Sequence, residues 1–485
     1  MAYSDLQDFI KTLEEKNELI RINAEVDPIL EITEIADRVS KAYGKALLFE
    51  NVKGSKFPVL INAMGTYERM ALSLGVEQLD DIGNRISEYI EMANFSNILG
   101  KVKEVPKIMQ LASVLPIKLP TKGKCQEVII EYDEVNLFDL PVLKCWPQDA
   151  GRFFTLPLVI TKDPETEIQN MGMYRMQVMD KNTTGMHWHL HKDGREIYNK
   201  HRAKGITKMP VSVALGCDPS ITYSATAPLP SFLDEIMFAG FLRKKPISLV
   251  KSIHSGIYVP SSAEFIIEGY VDVDEEPVIE GPFGDHTGYY SIADYYPRFH
   301  VTAITHRKNP VYPTTIVGKP PMEDCYMGKA TERIFLPLIK MINPDIYDLN
   351  FPLEGVFHNC VIISIDKKFA GHGKKVMNSV WGMGQMMYTK MIIVVDKDVN
   401  VKNISEVSWK VFNNIDAKRD LVISEGPLDA LDHASSLGHY GHRLGIDATK
   451  KWKEEGYERI WPDDIVMTED IKELVSKKWS EYGID

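Results

Sequence analysis

The middle of the chain, from about residue 120 to residue 320, is a succession of short β-rich segments. Examples are EVIIEYDEV (127–135), TLPLVITKD (155–163), MPVSVALGC (209–217) and IIEGYVDVD (266–274). One amphipathic helical segment, SFLDEIMFAGFLRK (231–244), interrupts them. Many short strands with few helices between them are typical of a sheet-rich barrel or sandwich. This pattern excludes a helical bundle for the centre of the chain.

The two flanks have a different pattern. Before the Pro- and Lys-rich stretch at 116–124, helical and strand-like segments mix within about a hundred residues. After residue 322, strands such as NCVIISIDK (359–367) and MIIVVD (391–396) alternate with helical segments, which is typical of a parallel α/β layer. With 485 residues, the chain is long enough for two or three domains. We therefore predict an α/β (α+β) protein with domains at 1–118, 119–321 and 322–485, the last one ending in a terminal helix at about 467–482.

Composition narrows the classes of function. The net charge is −12, from 56 Lys and Arg against 68 Asp and Glu, which argues against a nucleic-acid-binding protein. The five cysteines form no CxxC pair, so a disulfide framework or a cysteine zinc site is not expected and a reducing compartment fits best. The first twenty residues lack the apolar core of a signal peptide, and no stretch is long enough to span a membrane. We expect a cytoplasmic protein.

A histidine alternation stands out at MHWHLH (186–191). On a strand, His187, His189 and His191 would share one face, with Trp188 on the other. Imidazoles two residues apart can converge on one metal ion. The same pattern also fits histidines hydrogen-bonded inside a polar barrel, or the wall of a cofactor pocket. The string alone leaves these readings open.

Two other segments carry side chains suited to a metal ion. QNMGMYR (169–175) contains Asn170, a neutral oxygen donor. LPSFLDEIMFAG (229–240) predicts Ser231 as a helix N-cap and Glu235 in the first helical turn, where ordinary stabilisation of the helix would also explain a carboxylate. Together with a histidine, these oxygens would suit Mn²⁺ or Mg²⁺.

The most distinctive string is EGPFGDHTGYY (280–290), with two carboxylates, Glu280 and Asp285, in a glycine-rich loop. Paired carboxylates near an arginine suit proton transfer, since one is held as an ion pair while the other serves as the acid. The alternative is an Asp turn whose carboxylate caps its own backbone.

Five strings together resemble the UbiD family of reversible decarboxylases that depend on prenylated FMN. They are ALLFENVKG (46–54), NMGMYR (170–175), PVSVALGCDP (210–219), EGPFGDHTGYY (280–290) and MYTKMIIVVDKDVN (387–400). The resemblance runs in order from about residue 4 to about residue 455. It implies an N-terminal α/β domain, a central split β-barrel related to flavin reductases that holds the flavin and the metal, and a C-terminal α/β domain.

The resemblance also implies roles for individual residues. Arg175, Glu280 and Asp285 match the catalytic Glu–Arg–acid network, and Asn170, His191 and Glu235 match the ligands of a metal, usually Mn²⁺, with K⁺ often nearby. Lys374 matches a lysine on the phosphate side, although Lys375 is its equally charged neighbour. The residues implied to bind the cofactor are Asn170, Met173, Tyr174, Arg175, His187, Trp188, His189, Lys192, Asp193 and Lys374. The chain departs from the quinone-pathway members at His187-Trp188-His189, where those carry Arg-Trp-Leu.

The implied activity is non-oxidative decarboxylation, reversibly carboxylation, of an aromatic or hydroxyaromatic acid with release of CO₂. In quinone biosynthesis the substrate would be a polyprenyl-hydroxybenzoate, and a polyprenyl tail would bring peripheral membrane contact. The alternatives are a naphthoate or simple phenolic acid, a non-catalytic flavin- or metal-binding homologue, and a metal hydrolase using the three histidines. We expect Arg175 to hold the substrate or Glu280, and Asp285 to be the acid, with a pKa raised by burial or by Glu280. A flavin prenyltransferase that supplies the cofactor is an implied partner, and a homo-oligomer, dimer or hexamer, is expected.

Overall fold

The computed structural model describes residues 2–94, 114–189, 192–229 and 233–484. The α-helices are α1 (Leu6–Glu15), α2 (Glu31–Lys41), α3 (Tyr67–Ser73), α4 (Asp80–Asn94), α5 (Asp193–Ala203), α6 (Pro219–Ser224), α7 (Glu235–Arg243), α8 (Glu323–Ile342), α9 (His372–Trp381), α10 (Ile404–Asn414) and α11 (Glu469–Lys477). The strands of the first half are β1 (Leu19–Ile22), β2 (Ala46–Phe49), β3 (Val59–Ile61), β4 (Ile117–Lys118), β5 (Val128–Glu131), β6 (Phe153–Phe154), β7 (Leu158–Lys162), β8 (Gln169–Met173), β9 (Met176–Val178), β10 (Thr183–Met186) and β11 (Lys208–Leu215). Those of the second half are β12 (Ser248–Lys251), β13 (Tyr258–Pro260), β14 (Phe265–Asp272), β15 (Val278–Glu280), β16 (Asp294–Tyr296), β17 (Arg298–His306), β18 (Tyr312–Pro313), β19 (Ile346–Asn350), β20 (Cys360–Ile365), β21 (Met391–Asp396), β22 (Leu421–Pro427) and β23 (Tyr440–Asp447).

The centre of the molecule is an antiparallel sheet in the order β6-β9-β10-β17-β14-β11-β7-β8, with β5 also paired to β17. Every pairing in it is antiparallel, and the sheet curls into a half-barrel. Alternate residues of β11 (Met209, Val211 and Val213) enter the largest core cluster, whereas Ala214 enters a second cluster. Successive side chains of a strand point to opposite faces, so both faces of this strand are covered by apolar side chains. The predicted sheet-rich centre is confirmed.

The N-terminal sheet has the order β1-β2-β3-β18. Its last strand comes from residues that follow the central sheet, and it pairs with β3 in parallel. Helix α1 covers this sheet with the apolar face that its spacing predicts, burying Leu6, Phe9, Ile10 and Leu13.

The C-terminal sheet has the order β19-β20-β21-β23-β22. Its three inner strands are parallel, as the alternation of strands and helices predicts, but both outer strands, β19 and β22, run antiparallel. Helix α9 packs on this sheet through Val376, Met377 and Val380. None of the helices in the described ranges has the length and hydropathy needed to cross a bilayer.

Candidate active site

A buried arginine joins the two carboxylates of the glycine-rich loop. The Arg175 guanidinium donates from Nε to Glu280 Oε1 at 2.8 Å and from Nη2 to Glu280 Oε2 at 3.0 Å, a bidentate pair. Its Nη1 donates to Asp285 Oδ2, and Nη2 also donates to Ser291 Oγ at 3.0 Å. The Arg175 guanidinium lies over the Phe283 ring, 4.8 Å from its centroid. The three residues matched by resemblance therefore form one connected group.

Short elements of the central sheet fix this group. Arg175 lies in the two-residue connection between β8 and β9, and Glu280 ends β15. Asp285 lies in the loop between β15 and β16, which pair as a hairpin. Gly185 on β10 leaves space for the Glu280 side chain, because a Cβ there would lie 3.2 Å from Glu280 Cγ.

Histidines 187 and 189 extend the group from Glu280. The Nδ1 atom of His187 lies 2.9 Å from Glu280 Oε2, and the Nε2 atoms of His187 and His189 are 2.5 Å apart. Burial is the main cause that lowers the pKa of His187, and it lowers the pKa of His189 to about 3. With both rings neutral, one proton pattern fits: His187 Nδ1–H donates to Glu280, and His189 Nε2–H donates to His187 Nε2.

The predicted strand through these histidines is wrong, since β10 ends at Met186 and residues 187–189 form no strand. The alternation survives nevertheless, because Trp188 points away from the histidines into the core and is 2% exposed. His191 lies outside the described residues. In the described ranges no three His, Cys, Asp or Glu side chains converge as a metal site.

The predicted direction of the Asp285 pKa is also wrong. Burial raises the pKa of Asp285, but the hydrogen bond and charge of His286 and the charge of Arg175 outweigh it and hold the pKa well below its usual range. Burial likewise opposes ionisation of Glu280, yet its bonds to His187 and Arg175 lower its pKa to about 2. The prediction considered burial and Glu280, but not the imidazole next in sequence.

That imidazole, His286, was missed although it lies inside the quoted loop string. Its Nδ1 lies 2.8 Å from Asp285 Oδ1, and its Nε2 lies 2.7 Å from Nε2 of His358. Tyr296 was missed as well, and its ring centroid lies 4.3 Å from that of His187. The DH dipeptide was the available signal for His286, whereas nothing local marks His358 or Tyr296.

A second group contains two of the three implied metal ligands, Asn170 and Glu235. Asn170 Nδ2 lies 3.2 Å from Glu235 Oε1 and 3.5 Å from Asp193 Oδ2. Burial raises the pKa of Glu235 to about 7, with the charges of Asp234 and Asp193 acting in the same direction. Buried Asn170 Oδ1 has no hydrogen-bond partner among the described residues. An orphaned amide oxygen beside crowded carboxylates is the donor set that a hard divalent cation satisfies, so these residues fit the implied metal.

The first turn of α7 holds Glu235, as predicted, but not through the predicted cap. The N-cap is Asp234, whose carboxylate accepts from Met237 N at 2.9 Å, and Ser231 lies outside the described residues. Glu235 Oε2 also accepts from Met171 N at 3.1 Å, so α7 and β8 are tied together at this point.

The other residues implied to bind the cofactor have different positions. Met173 ends β8, the neighbouring Tyr174 ring is partly buried, and desolvation raises the pKa of its hydroxyl. Lys192 is the exposed N-cap residue of α5. Lys374 is bonded within the C-terminal part, where its Nζ donates to Arg419 O at 2.8 Å. Its neighbour Lys375 donates from Nζ to Asn343 Oδ1 at 3.2 Å.

Three family models match the chain in order. They describe the N-terminal domain (residues 10–86), the Rift-related domain (118–320) and the C-terminal domain (325–448) of 3-octaprenyl-4-hydroxybenzoate carboxy-lyase. The chain belongs to the UbiD family. This is a family of carboxy-lyases, and its three matched segments cover the N-terminal sheet, the half-barrel and the C-terminal sheet in turn.

Two relatives and several solved structures are similar to this chain over nearly its whole length. An uncharacterized protein of Archaeoglobus fulgidus is 52% identical over 99% of each chain, and one of Aquifex aeolicus is 49% identical over 100% of this chain and 99% of its own. The closed form of vanillic acid decarboxylase from Sedimentibacter hydroxybenzoicus is 27% identical, covers 100% of both chains and has a TM-score of 0.84. The UbiD-class enzyme HmfF from Pelotomaculum thermopropionicum in complex with FMN is 27% identical over 94% of this chain and 97% of its own, with a TM-score of 0.79. An evolved dimeric form of HmfF in complex with prenylated FMN is 26% identical over the same shares of the two chains, with a TM-score of 0.78.

Proposed function

We propose that the protein is a prenylated-FMN-dependent, non-oxidative and reversible decarboxylase of an aromatic or hydroxyaromatic carboxylic acid. The observation that carries this proposal is the buried Glu280–Arg175–Asp285 group, in which one arginine bonds both carboxylates. The UbiD-class neighbours, a vanillic acid decarboxylase and an enzyme bound to FMN or prenylated FMN, support it. A non-catalytic flavin- or metal-binding homologue would have no need of such a network.

The chain's own residues divide the acid–base work. Arg175 and His187 keep Glu280 ionised and fixed, so its carboxylate serves as a permanent negative charge that orients the arginine. Asp285 is bonded to Arg175 through a single nitrogen and to His286 through its other oxygen, and it passes a proton to the ring carbon that CO₂ leaves. In the carboxylation direction the same carboxylate takes that proton away.

Loss of CO₂ from an aromatic ring needs an electron sink that amino-acid side chains do not provide. Prenylated FMN, when bound, supplies an electrophilic centre for this purpose. We assign Asn170, Glu235 and His191 as the residues that would hold a Mn²⁺ ion, which would neutralise the negative charge of the flavin phosphate, with K⁺ as a second cation. The surrounding pocket in the central domain would be formed by Met173, Tyr174, His187, Trp188, His189, Lys192 and Asp193. We assign Lys374 as a contact to the flavin phosphate. This contact would require the hydrogen bond from Lys374 Nζ to Arg419 O to break.

The substrate belongs to the hydroxyaromatic acids. The description of the family models favours a polyprenyl-hydroxybenzoate of quinone synthesis as the substrate. The similarity to vanillic acid decarboxylase favours vanillate. His187 and His189, in place of the arginine and leucine of quinone-pathway members, favour a small polar phenolic acid over a polyprenylated one, because two imidazoles add polar atoms beside Glu280.

The test is to co-express the chain with a flavin prenyltransferase and to analyse the released cofactor by absorbance and mass. Bound prenylated FMN with Mn²⁺, and CO₂ release from vanillate, 4-hydroxybenzoate or a naphthoate, is the expected result. D285N should retain the flavin and lose both turnover and proton exchange into the product. A colourless, zinc-loaded protein would overturn the cofactor assignment, and an active D285N variant would overturn the role of Asp285.

A further inference from the structure

Two histidines from different parts of the chain form a line that ends at Asp285. His286 places Nδ1 at 2.8 Å from Asp285 Oδ1 and Nε2 at 2.7 Å from Nε2 of His358. His286 follows Asp285 in the glycine-rich loop, whereas His358 lies two residues before β20 of the C-terminal sheet. The acid of the central sheet is thus connected to the C-terminal part through two imidazole rings.

The residues around His286 and Asp285 exclude most bulk water and hold the His286 ring in place. The His286 ring stacks on the Phe357 ring, with centroids 4.8 Å apart and planes 24° from parallel. Further along the same loop, the Tyr289 ring lies 4.0 Å from that of His433. The side chain of His286 is 16% exposed and that of Asp285 is 11% exposed. Bulk water therefore has little access to Asp285, and an imidazole is the group that its carboxylate meets.

The charges around the line decide where the extra proton lies. Asp285 is bonded to His286, the carboxylates of Asp324 and Asp429 add negative charge near that ring, and Arg175 sits on the far side of Asp285. Burial opposes protonation, but these carboxylates prevail and raise the pKa of His286. Burial and the charge of His286 lower the pKa of His358 to about 4, with Asp429, Asp285 and Asp432 acting in the opposite direction.

Hydrogen-bond chemistry fits the same assignment. An imidazolium donates from both nitrogens, so His286 can serve Asp285 and His358 at once. His358, as a neutral ring, accepts at Nε2 and carries its proton on Nδ1, an atom that is buried and has no hydrogen-bond partner among the described residues. A direct contact between two Nε2 atoms requires one donor and one acceptor, and this pattern provides them.

We propose that His286 is the proton donor to Asp285, and that His358 is a positioning residue which holds the His286 ring in line from the C-terminal part of the chain. The inference rests on the proposed function, since it takes Asp285 as the group that protonates the product. It assigns to this enzyme an acid made of two residues, Asp285 and His286.

The step balances as a simple proton transfer. The C–C bond to the carboxylate breaks and CO₂ leaves. Asp285 takes the Nδ1 proton of His286, whose imidazolium becomes a neutral imidazole, and passes that proton to the ring carbon. The solvent returns one proton to the Asp285–His286 pair before the next turnover. Each decarboxylation of a substrate molecule therefore consumes one proton from the solvent.

The experiment compares four variants of the flavin-loaded full-length enzyme by kcat per bound flavin across pH. In the native enzyme kcat should fall as pH rises through the pKa of His286, because the proton donor is lost. H286N keeps an amide donor toward Asp285 but cannot release a proton. Its kcat should therefore fall about 100-fold and should no longer decrease as pH rises. H358F removes the acceptor for the His286 Nε2–H. Its kcat should fall about 10-fold, and the decrease of kcat at high pH should begin at a lower pH. H358Q restores an acceptor and should stay within about 3-fold of the native rate.

The fourth variant is a matched control. His300 also pairs with a carboxylate, with Nε2 at 2.5 Å from Glu275 Oε2, but it is outside the line, and H300Q should leave kcat unchanged. A native-like pH profile in H286N or H358F, with D285N inactive, would overturn this inference and leave the proposed function standing. An active D285N would overturn the function itself. Nuclear magnetic resonance of the histidine rings in the native enzyme gives an independent result: a neutral His286 at pH 6.5 would overturn the inference even where a variant fails to fold.

Discussion

At the scale of single residues, the Arg175 group shows how buried charges are made tolerable. Its guanidinium and the Glu280 carboxylate are 8% and 0% exposed, so neither is solvated by bulk water. Moving such ions out of water costs several kcal/mol each, and the cost is recovered only when their hydrogen-bonding capacity is filled. Both Glu280 oxygens are bonded, and all three Arg175 nitrogens are used. Two negative and two positive charges, counting His286, then balance within the group.

Removing the arginine should therefore cost more than removing its hydrogen bonds. R175M leaves the buried Glu280 carboxylate without its cation and Asp285 with that of His286 alone, and we expect a loss of about 3–5 kcal/mol in the free energy of unfolding. R175K keeps the charge but not the bidentate geometry, so it should lose less stability while still losing turnover. Urea unfolding of the three proteins measures this, and an R175M variant as stable as the native chain would contradict it.

Glu280 makes a second prediction, on pH. Its folded-state pKa of about 2 is below the unfolded value of 4.5, so its ionised form stabilises the fold above pH 4.5. This contribution is lost as pH falls from 4.5 towards 2, because the unfolded state then binds the proton first. The stability advantage of the native chain over E280Q should shrink over that window in urea titrations. E473Q, at a side chain 72% exposed, should give a difference that does not change with pH.

At the scale of elements, the spacing of apolar residues predicted the strands and the buried helix faces that this spacing determines. Alternating apolar residues predicted the strands of the half-barrel, and helical spacing predicted the buried face of α1. The end of β10 at Met186 and the cap of α7 at Asp234 were missed. The cap is a local contact from Asp234 to Met237 N, and the sequence offered both Ser231 and Asp234 as capping side chains. The parallel core of the C-terminal sheet was predictable, whereas its antiparallel edges were not, since pairing partners at an edge are chosen by the rest of the chain.

The cap of α7 gives a prediction at this scale. Asp234 accepts from Met237 N, and the same turn carries Glu235 towards Asn170. D234A should cost about 1 kcal/mol of stability and loosen the turn, so Mn²⁺ affinity should fall several-fold. D234N keeps the cap and should retain most of that affinity. Isothermal titration with Mn²⁺ measures this, and equal affinities in D234A and D234N would show that the cap does not position Glu235.

At the scale of the whole molecule, the site is assembled from distant parts of the chain. Arg175 and Glu280 are 105 residues apart in sequence and His358 lies a further 78 residues on, and only the folded arrangement of sheets brings them together. The sequence could nominate Arg175, Glu280 and Asp285 through the family resemblance. It could not nominate His358, because its role depends on a contact between the glycine-rich loop and the C-terminal part. The direction of the Asp285 pKa was missed for a different reason, since it is set by His286, the next residue in sequence, and by Arg175.

The C-terminal end carries the last prediction. Residues 460–467 expose large apolar side chains, with Ile460 94%, Ile465 103% and Val466 76% exposed. They lie next to α10, whose Lys410 pairs with Asp464 at 2.5 Å and whose Phe412 is 80% exposed. Several exposed large apolar side chains in one segment are typical of an interface, and we expect a second copy of the chain to cover them in a homo-oligomer.

An I465S/V466S double variant should therefore weaken association by at least about 10-fold in sedimentation velocity, because it removes two of the most exposed apolar side chains. I342S, at an exposed isoleucine at the end of α8 that is 61% exposed, serves as the matched control and should leave association unchanged. The fold of each variant is checked by circular dichroism. A native chain that sediments as a monomer at micromolar concentration, or a double variant that associates as tightly as the native chain, would show that these residues do not form the interface.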